Sequence, residues 1–447
     1  MRRSLALALA GTLTLALGAC SSDGGSTAAD GSTQVRYWMW DSNQVPAYQK
    51  CADAFTAANP ATTVVIEQFG WDDYWTKLTA SFVGGSGPDV FVDHLSKYGE
   101  FAQQGQIEPL DERIAADGVD LSVYSDGLAE PWVHADGQTY GLPKDWDTTG
   151  FFYNTEMLEE AGLTPEDLWE ATWNPQDGGT FEDAVARLTV DSAGVRGDEA
   201  GFDPQDVAVY GLGLNPNYEE TGQMQWSNFT GTTGWDYLDE NPWGTQYAFD
   251  APEFQDTISW FYGLSDKGFS PRSGVFTDES LTQVGSAQVA MGINGSWATG
   301  SFLDLDGVEV GVAPGPVGPD GVRGSIFNGV ADSISISSKN KDEAWEWVKF
   351  LGTTQCQDLV AESAVVFPSI PSSADKALAA FESEGADVSA FFEYTQGGNR
   401  TFLPPITLSA GEVNALVKPA LEDIAMGNSP ASSMTSVNEQ VNALLAP

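Results

Sequence analysis

Apolar and aromatic residues fill Val35-Arg36-Tyr37-Trp38-Met39-Trp40 apart from Arg36, and this short run predicts a strand at the head of the chain's body. The spacing then changes. From Val45 to Ala58, Ala47, Cys51, Ala54, Phe55 and Ala58 recur at helical intervals, and Asn59-Pro60 ends the helix. A β-branched run, Thr63 to Gln68, predicts a second strand. A helix over Asp72 to Phe82, stopped by Gly84-Gly85, and a third strand at Asp89 to Val92 follow. Strand and helix in this rhythm predict a parallel sheet with helices on its faces, an α/β architecture.

Farther on, the pattern predicts a helix near Lys97 to Gln104, a hairpin-like segment from Gln138 to Pro143, a strand at Thr149 to Tyr153 and a helix at Asn154 to Ala161. Residues 170–250 are rich in Gly, Pro, Asn, Asp and Trp. They read as long loops between a helix (Thr180 to Leu188) and a strand (Val207 to Leu212). Helices at Pro252 to Lys267 and Asp342 to Leu351 and strands at Val289 to Ile293 and Ser333 to Ile336 come next. Three further helices are predicted near Ala374 to Glu384, Ala410 to Met426 and Ser432 to Leu445.

The start of the chain reads differently. Arg2 and Arg3 precede a short apolar run, Leu5 to Leu17, which is too short to span a bilayer comfortably. A charged start, an apolar centre and a small-residue exit describe a secretory signal peptide, residues 1–19. The ending Leu17-Gly18-Ala19-Cys20 resembles a bacterial lipobox, which implies lipidation of Cys20. Residues 20–33 then form a tether too poor in large apolar side chains to fold. About 415 residues remain, enough for two domains.

The 447-residue chain has 19 basic and 64 acidic residues, a net charge of −45; without Arg2 and Arg3 the balance is 17 against 64, or −47. Such a surface repels nucleic acid and anionic membrane surfaces. Membrane contact is therefore expected through the lipid alone. With Cys20 set aside, Cys51 and Cys356 either pair in a disulfide or remain two buried thiols.

The common catalytic signatures are missing. His94 and His134 are the only histidines, too few for a zinc site, and no cofactor and no metal are expected. There is no Gly-x-Ser-x-Gly elbow and no phosphate loop, and Gly211-x-Gly213 lacks the rest of a dinucleotide fingerprint. The many acids leave room for a glycosidase, whose two carboxyls would flank a sugar cleft.

Four segments together resemble the sugar-binding receptors of ABC importers, the group that includes maltose-binding protein. They are Gly85-Ser86-Gly87-Pro88-Asp89-Val90-Phe91 with Gly105 to Leu110, Tyr140-Gly141-Leu142-Pro143 with Phe152 to Leu163, Ala287 to Met291 with Asn294-Gly295-Ser296-Trp297, and Lys341 to Leu351. The resemblance covers about residues 34–447 and implies a periplasmic-binding-protein-like fold, two α/β lobes joined by a hinge with the ligand cleft between them. It places lobe one at 34–146 plus 328–367 and lobe two at 147–327 plus 368–447, with Cys51 and Cys356 in the same lobe. It further implies a non-enzymatic monomer, lipid-anchored on the outer face of the membrane, that passes a di- or oligosaccharide to ABC permease subunits.

A pyranose needs flat aromatic surfaces for its C–H faces and planar polar groups for its hydroxyls. In open α/β sheets ligands lie beyond the carboxyl ends of strands. The candidates are therefore Trp40, Asp41 and Ser42 after the first strand, Trp71 after the second, and Asp93 and His94 after the third. Asp145, Trp146 and Asp147 sit at the first crossing between lobes, and Asn328 and Asp332 at the return. Asn294 and Trp297 follow the Val289 strand, Trp226 and Asn228 lie in the loop-rich region, and Arg400 precedes Pro404-Pro405. The resembling family commonly stacks sugar on the tryptophan at the position of Trp297. Trp38, Trp75, Trp345 and Trp347 read as packing residues. Acids and tryptophans also suit a polyamine or other cation, so that alternative stays open.

Overall fold

The computed structural model describes residues 31–446; Cys20, the signal peptide and most of the tether lie outside them. Its strands in chain order are β1 (Thr33–Met39), β2 (Thr62–Gln68), β3 (Val90–His94), β4 (Leu142–Asp147), β5 (Thr149–Asn154), β6 (Val190–Asp191), β7 (Val207–Leu212), β8 (Val289–Gly295), β9 (Val310–Ala313), β10 (Gly324–Ile326), β11 (Asn328–Ile334), β12 (Phe367–Pro368) and β13 (Arg400–Phe402). They form a six-stranded sheet ordered β12-β4-β11-β3-β1-β2, a five-stranded sheet ordered β6-β7-β8-β5-β9, and the small pair β10-β13. Each large sheet is the centre of one lobe, so the fold is α/β with two lobes.

The period-2 pattern of β1 decides its two faces. Val35, Tyr37 and Met39 pack under the helices Val45–Ala58 and Lys341–Leu351, whereas Trp38 packs on the other side with Tyr74, Leu78 and Phe91. Cys51 and Cys356 are bonded, with their Cα atoms 5.2 Å apart, and join the helix Val45–Ala58 to the helix Thr354–Ala361. The second lobe has its own core, in which Trp173, Phe181, Trp226, Phe229 and Trp260 meet Val413, Val417 and Leu421 of the helix Ala410–Ala425.

Several expectations need correcting. The first sheet is mixed. β1, β2 and β3 are parallel, but β11 runs antiparallel to both β3 and β4. The local strand–helix rhythm reports only the parallel part; β11 reaches its place from 181 residues beyond Asp147. That strand begins at Asn328, five residues before the expected Ser333, because Gly329 and Asp332 break the apolar pattern although the whole strand is buried. The helix from Pro252 ends at Gly263, short of Lys267. The hairpin-like segment at 138–143 holds in its first part, where Thr139 bridges Val133 antiparallel, and its last two residues open β4.

The chain passes from β4 to β5 through Thr148, and from β10 to β11 through Phe327. Asn328 pairs with Asp147 in register, so the two crossings lie side by side. A third apolar cluster, with Trp146, Phe152, Phe367 and Phe391, packs around them.

The core of the first lobe also holds acids. Asp332 accepts from Tyr37 Oη at 2.7 Å, and Asp93 Oδ1 accepts from the His94 N–H at 2.8 Å. Burial pushes both carboxyls up to about 7. A carboxyl raised on folding binds its proton more tightly in the native state. Its destabilising effect is complete above pH 7 and vanishes as the pH falls toward the unfolded value of about 4. His94 acts oppositely: burial, then Lys97, push it down to about 3, so stability is lost as the unfolded imidazole protonates below about pH 6.5. Two acids outweigh one imidazole.

Two outcomes are expected. The melting temperature is higher at pH 5.5 than at pH 8, and Asp332→Asn, which keeps an acceptor for Tyr37, shrinks that difference; a flat profile in the parent protein contradicts the reading. Replacing both Cys51 and Cys356 by Ala frees a loop closed over 305 residues and lowers the melting temperature by about 5 °C or more in a calorimetric scan.

Candidate functional site

A cavity of about 340 Å³ lies between the lobes. The first sheet supplies its floor. Trp40, Asp41 and Ser42 continue from β1, Gln68, Gly70 and Trp71 from β2, and His94 ends β3. Because β11 is antiparallel, its amino end lies beside those carboxyl ends, and Asn328 and Val330 join the floor.

Four consecutive residues of β4, Lys144 to Asp147, line the cavity. A regular strand would turn alternate side chains away. The register explains the exception: Val330 faces Asp145 but Ala331 faces Pro143, so Lys144 is an inserted residue. Such a bulge re-aims side chains, and both Lys144 and Asp145 reach the same space.

The second lobe supplies the roof. Asn217, Glu219, Thr221, Gly222, Gln223 and Met224 form one wall in the loop after β7, with Glu279 near it. Gly222 adopts φ +56°, a left-handed turn that favours glycine. Trp297 follows β8 on the other wall. Its ring lies directly on Gly295, where an added Cβ would come within 1.8 Å of it.

The aromatic surface is organised at right angles. Trp40 meets Trp71 and Tyr74 edge-on at 5.2 Å, and Trp71 meets His94 at 5.5 Å. Trp75 supports this group from behind, 5.4 Å from Trp40. Trp146 is nearly buried, packed on Phe327 and Phe367.

The polar groups form chains. Lys144 Nζ donates to Asp145 at 2.5 Å and to Gln44 Oε1 at 2.6 Å, and Gln44 Nε2 donates to Asp41 at 2.9 Å. Lys144 also lies 4.2 Å from the Tyr48 ring centroid. Asp147 accepts from Asn328 Nδ2 at 3.1 Å and from Gln223 Nε2 at 2.8 Å, while Asn328 Nδ2 lies 2.8 Å from His94 Nε2. His94 Nδ1 accepts from the Ser96 N–H at 3.2 Å.

Burial dominates the electrostatics here. It raises the Asp41 carboxyl against the opposing Asn43 and Gln44 bonds, and it raises Asp145 although Lys144 is adjacent. Asp147 stands well above the usual carboxylate range, through burial and then the field of Asp145. His94 is an uncharged ring at neutral pH. Asn328 Oδ1 is buried and finds no partner among the described residues, an open acceptor in the floor.

Ten of the residues named from sequence thus meet at one cavity: Trp40, Asp41, Ser42, Trp71, His94, Asp145, Trp146, Asp147, Trp297 and Asn328. Six do not. Asp93 sits on the Phe91 face of β3, opposite the Val92 and His94 face that lines the cavity. Asp332 shares a face with Asn328 and Val330 but lies two residues deeper, bonded to Tyr37. Trp226 is fully buried among Trp235, Tyr237 and Phe254, with Gly222 lying on its ring, so it supports the wall without reaching the cavity.

Asn228 is likewise consumed by structure, accepting from Thr149 Oγ1 at 2.6 Å and donating to the Gly324 carbonyl at 3.1 Å. Asn294 caps its own neighbour, accepting from the Gly295 N–H at 2.8 Å. Arg400 pairs with Asp236 and covers Phe402, away from the cleft. Sequence reasoning passed over Gln44, Gln68, Lys144, Glu219, Gln223 and Glu279, all of which line the cavity. Only Lys144 had a signal, its place beside Asp145 at the crossing.

The site therefore presents aromatic surfaces and directional polar groups in a cleft between the lobes. Among the described residues no cluster of three His, Cys, Asp or Glu side chains is placed to hold a metal ion.

Known proteins resemble this chain in sequence and in fold. A binding protein of Brucella abortus is 26% identical over 338 residues, 73% of each chain. A maltotriose-binding protein of Pyrococcus abyssi is 26% identical over 330 residues, 72% of this chain and 63% of that one. An ABC substrate-binding protein of Listeria monocytogenes, solved with cycloalternan, superposes with a TM-score of 0.79 at 18% identity over 93% of this chain and 99% of its own. The family model for bacterial extracellular solute-binding proteins matches residues 41–358, most of the chain and all but one strand of the first sheet's cavity floor, and the protein belongs to that family.

Proposed function

We propose that the protein captures a carbohydrate, a di- or short oligosaccharide, between its lobes and releases it unchanged to the permease subunits of an ABC importer. One observation carries this reading: Trp40, Trp71, Trp146 and Trp297 converge on a cleft whose lining also carries amide, carboxyl, hydroxyl and ammonium groups. Aromatic faces match the C–H faces of sugar rings, and the polar groups match their hydroxyls. The Pyrococcus relative named for maltotriose supports the same class of ligand.

In this reading lobe one comprises residues 34–146 plus 328–367 and lobe two 147–327 plus 368–447. Closure follows from contacts the sugar makes only when both halves surround it. Trp40, Trp71, Trp146 and Trp297 face the rings; Asp41, Ser42, Asp145, Asp147, Asn328 and His94 face the hydroxyls. Lipid on Cys20 keeps the protein at the outer membrane face.

A cationic ligand is the second reading, since Asp41, Asp145, Asp147, Glu219 and Glu279 outnumber Lys144 in the lining. It is the weaker one. Asp145 is neutralised by Lys144, and Asp41 and Asp147 are occupied by amides.

Calorimetry against mono-, di- and oligosaccharides, putrescine and spermidine decides between them. Binding of a sugar with no response to either amine is expected, and the reverse overturns the carbohydrate reading. Trp40→Ala and Trp297→Ala each weaken sugar binding by about tenfold or more with the fold intact by circular dichroism. Gly295→Ala displaces the Trp297 ring and weakens binding similarly; unchanged affinity in all three removes the aromatic basis of the site.

A further inference from the structure

The two lobes touch each other directly beside the cavity. At one rim, Asn43, in the turn between β1 and the helix Val45–Ala58, donates from Nδ2 to Ser301 Oγ at 2.9 Å. Ser301 belongs to the helix Thr299–Leu303, whose Phe302 stacks on Phe152 of the second sheet. Neither Asn43 nor Ser301 lines the cavity. At a second rim, Trp71 Nε1, on the first lobe, donates to Glu219 Oε1 at 3.4 Å. The neighbouring Tyr218 belongs to the core of the second lobe.

The surroundings favour the second contact. Lys97, on the first-lobe helix Leu95–Gln103, faces Glu219 and Glu220. Burial pulls its ammonium down, but the pull of Glu220, then Glu219, Glu100 and Asp72, leaves it above the usual lysine range. One repulsion opposes them. Burial and then Asp72, on the first lobe, raise the Glu279 carboxyl of the second. Weak attractions set against a like-charge pair are what a two-state hinge needs, because the preference for either state stays small.

We propose that Asn43–Ser301 and Trp71–Glu219 form a latch of the closed state, which slows ligand escape and biases the empty protein toward closure; Asn43 and Ser301 act from outside the cavity, whereas Trp71 and Glu219 also line it. Both bonds exist only when the rims meet. The latch therefore acts on dissociation, while association proceeds through an open form in which neither bond is made. It rests on the carbohydrate reading only for its kinetic readout.

The experiment uses the full mature chain. In stopped-flow binding of the best sugar from the calorimetric panel, the Asn43→Ala plus Ser301→Ala double variant, which leaves the cavity lining intact, releases ligand about two- to tenfold faster, the worth of one hydrogen bond, with the association rate within about twofold of the parent. Each single variant, Asn43→Ala or Ser301→Ala, gives the same release rate as the double, because either one breaks the shared bond. A slowed association with unchanged release, or defects of the two single variants that add in the double, overturns the latch. Small-angle scattering of the sugar-free protein reads the same device without any ligand. The double variant has a larger radius of gyration than the parent, and identical values overturn the proposal. If no sugar binds at all, the carbohydrate reading fails while the scattering comparison still tests the latch.

Discussion

The side-by-side pairing of Asn328 with Asp147 underlies the rest of the structure. It holds the two crossings between lobes together at neighbouring ends of two inner strands of the first sheet and places a buried carboxyl and a buried amide in the cavity floor. Asp147 is the first-sheet group that also accepts from Gln223 of the opposite wall, so the hinge and the roof share one acceptor. In a low-dielectric setting such a shared group is costly unless satisfied, and here two amide donors satisfy it.

From that constraint the character of the site follows. Burial keeps His94 neutral and lifts the Asp41, Asp145 and Asp147 carboxyls above their usual range, while Lys144 offsets Asp145 and amides occupy Asp41 and Asp147. A strongly acidic protein, −45 over the whole chain, can in this way present hydrogen-bonding groups to an uncharged ligand. The surface charge and the cavity charge are separate matters: the first governs solubility and long-range repulsion, the second recognition.

Much of this was legible in the sequence, for identifiable reasons. β1, β2 and β3 and the helices between them announced themselves by period, and Trp40, Trp71 and His94 were found because each follows the carboxyl end of one of those strands. The failures share one cause, which is that single residues were judged without knowing which face or depth they would occupy. Asp93 and His94 are adjacent in sequence yet lie on opposite faces, and Asp332 is on the correct face one step too deep. Trp226 and Gln223 sit three residues apart in one loop, but the indole anchors that loop and the amide meets the cavity. The bulge at Lys144 depends on pairing with a strand that arrives 181 residues after Asp147, and nothing local to β4 encodes it.

The position of β11 in the middle of the first sheet has a consequence for how the molecule is made. A ribosome delivers β1 to β4 long before β11, so the early sheet has β3 and β4 with a gap between them. The second lobe is no better placed, since Val413, Val417 and Leu421 complete its core from near the carboxyl terminus. Neither half can finish while the chain is still emerging, and both are closed by late, non-local contacts that form slowly. Nascent copies therefore stay unfinished until nearly the last residue and depend on protection from aggregation until synthesis ends.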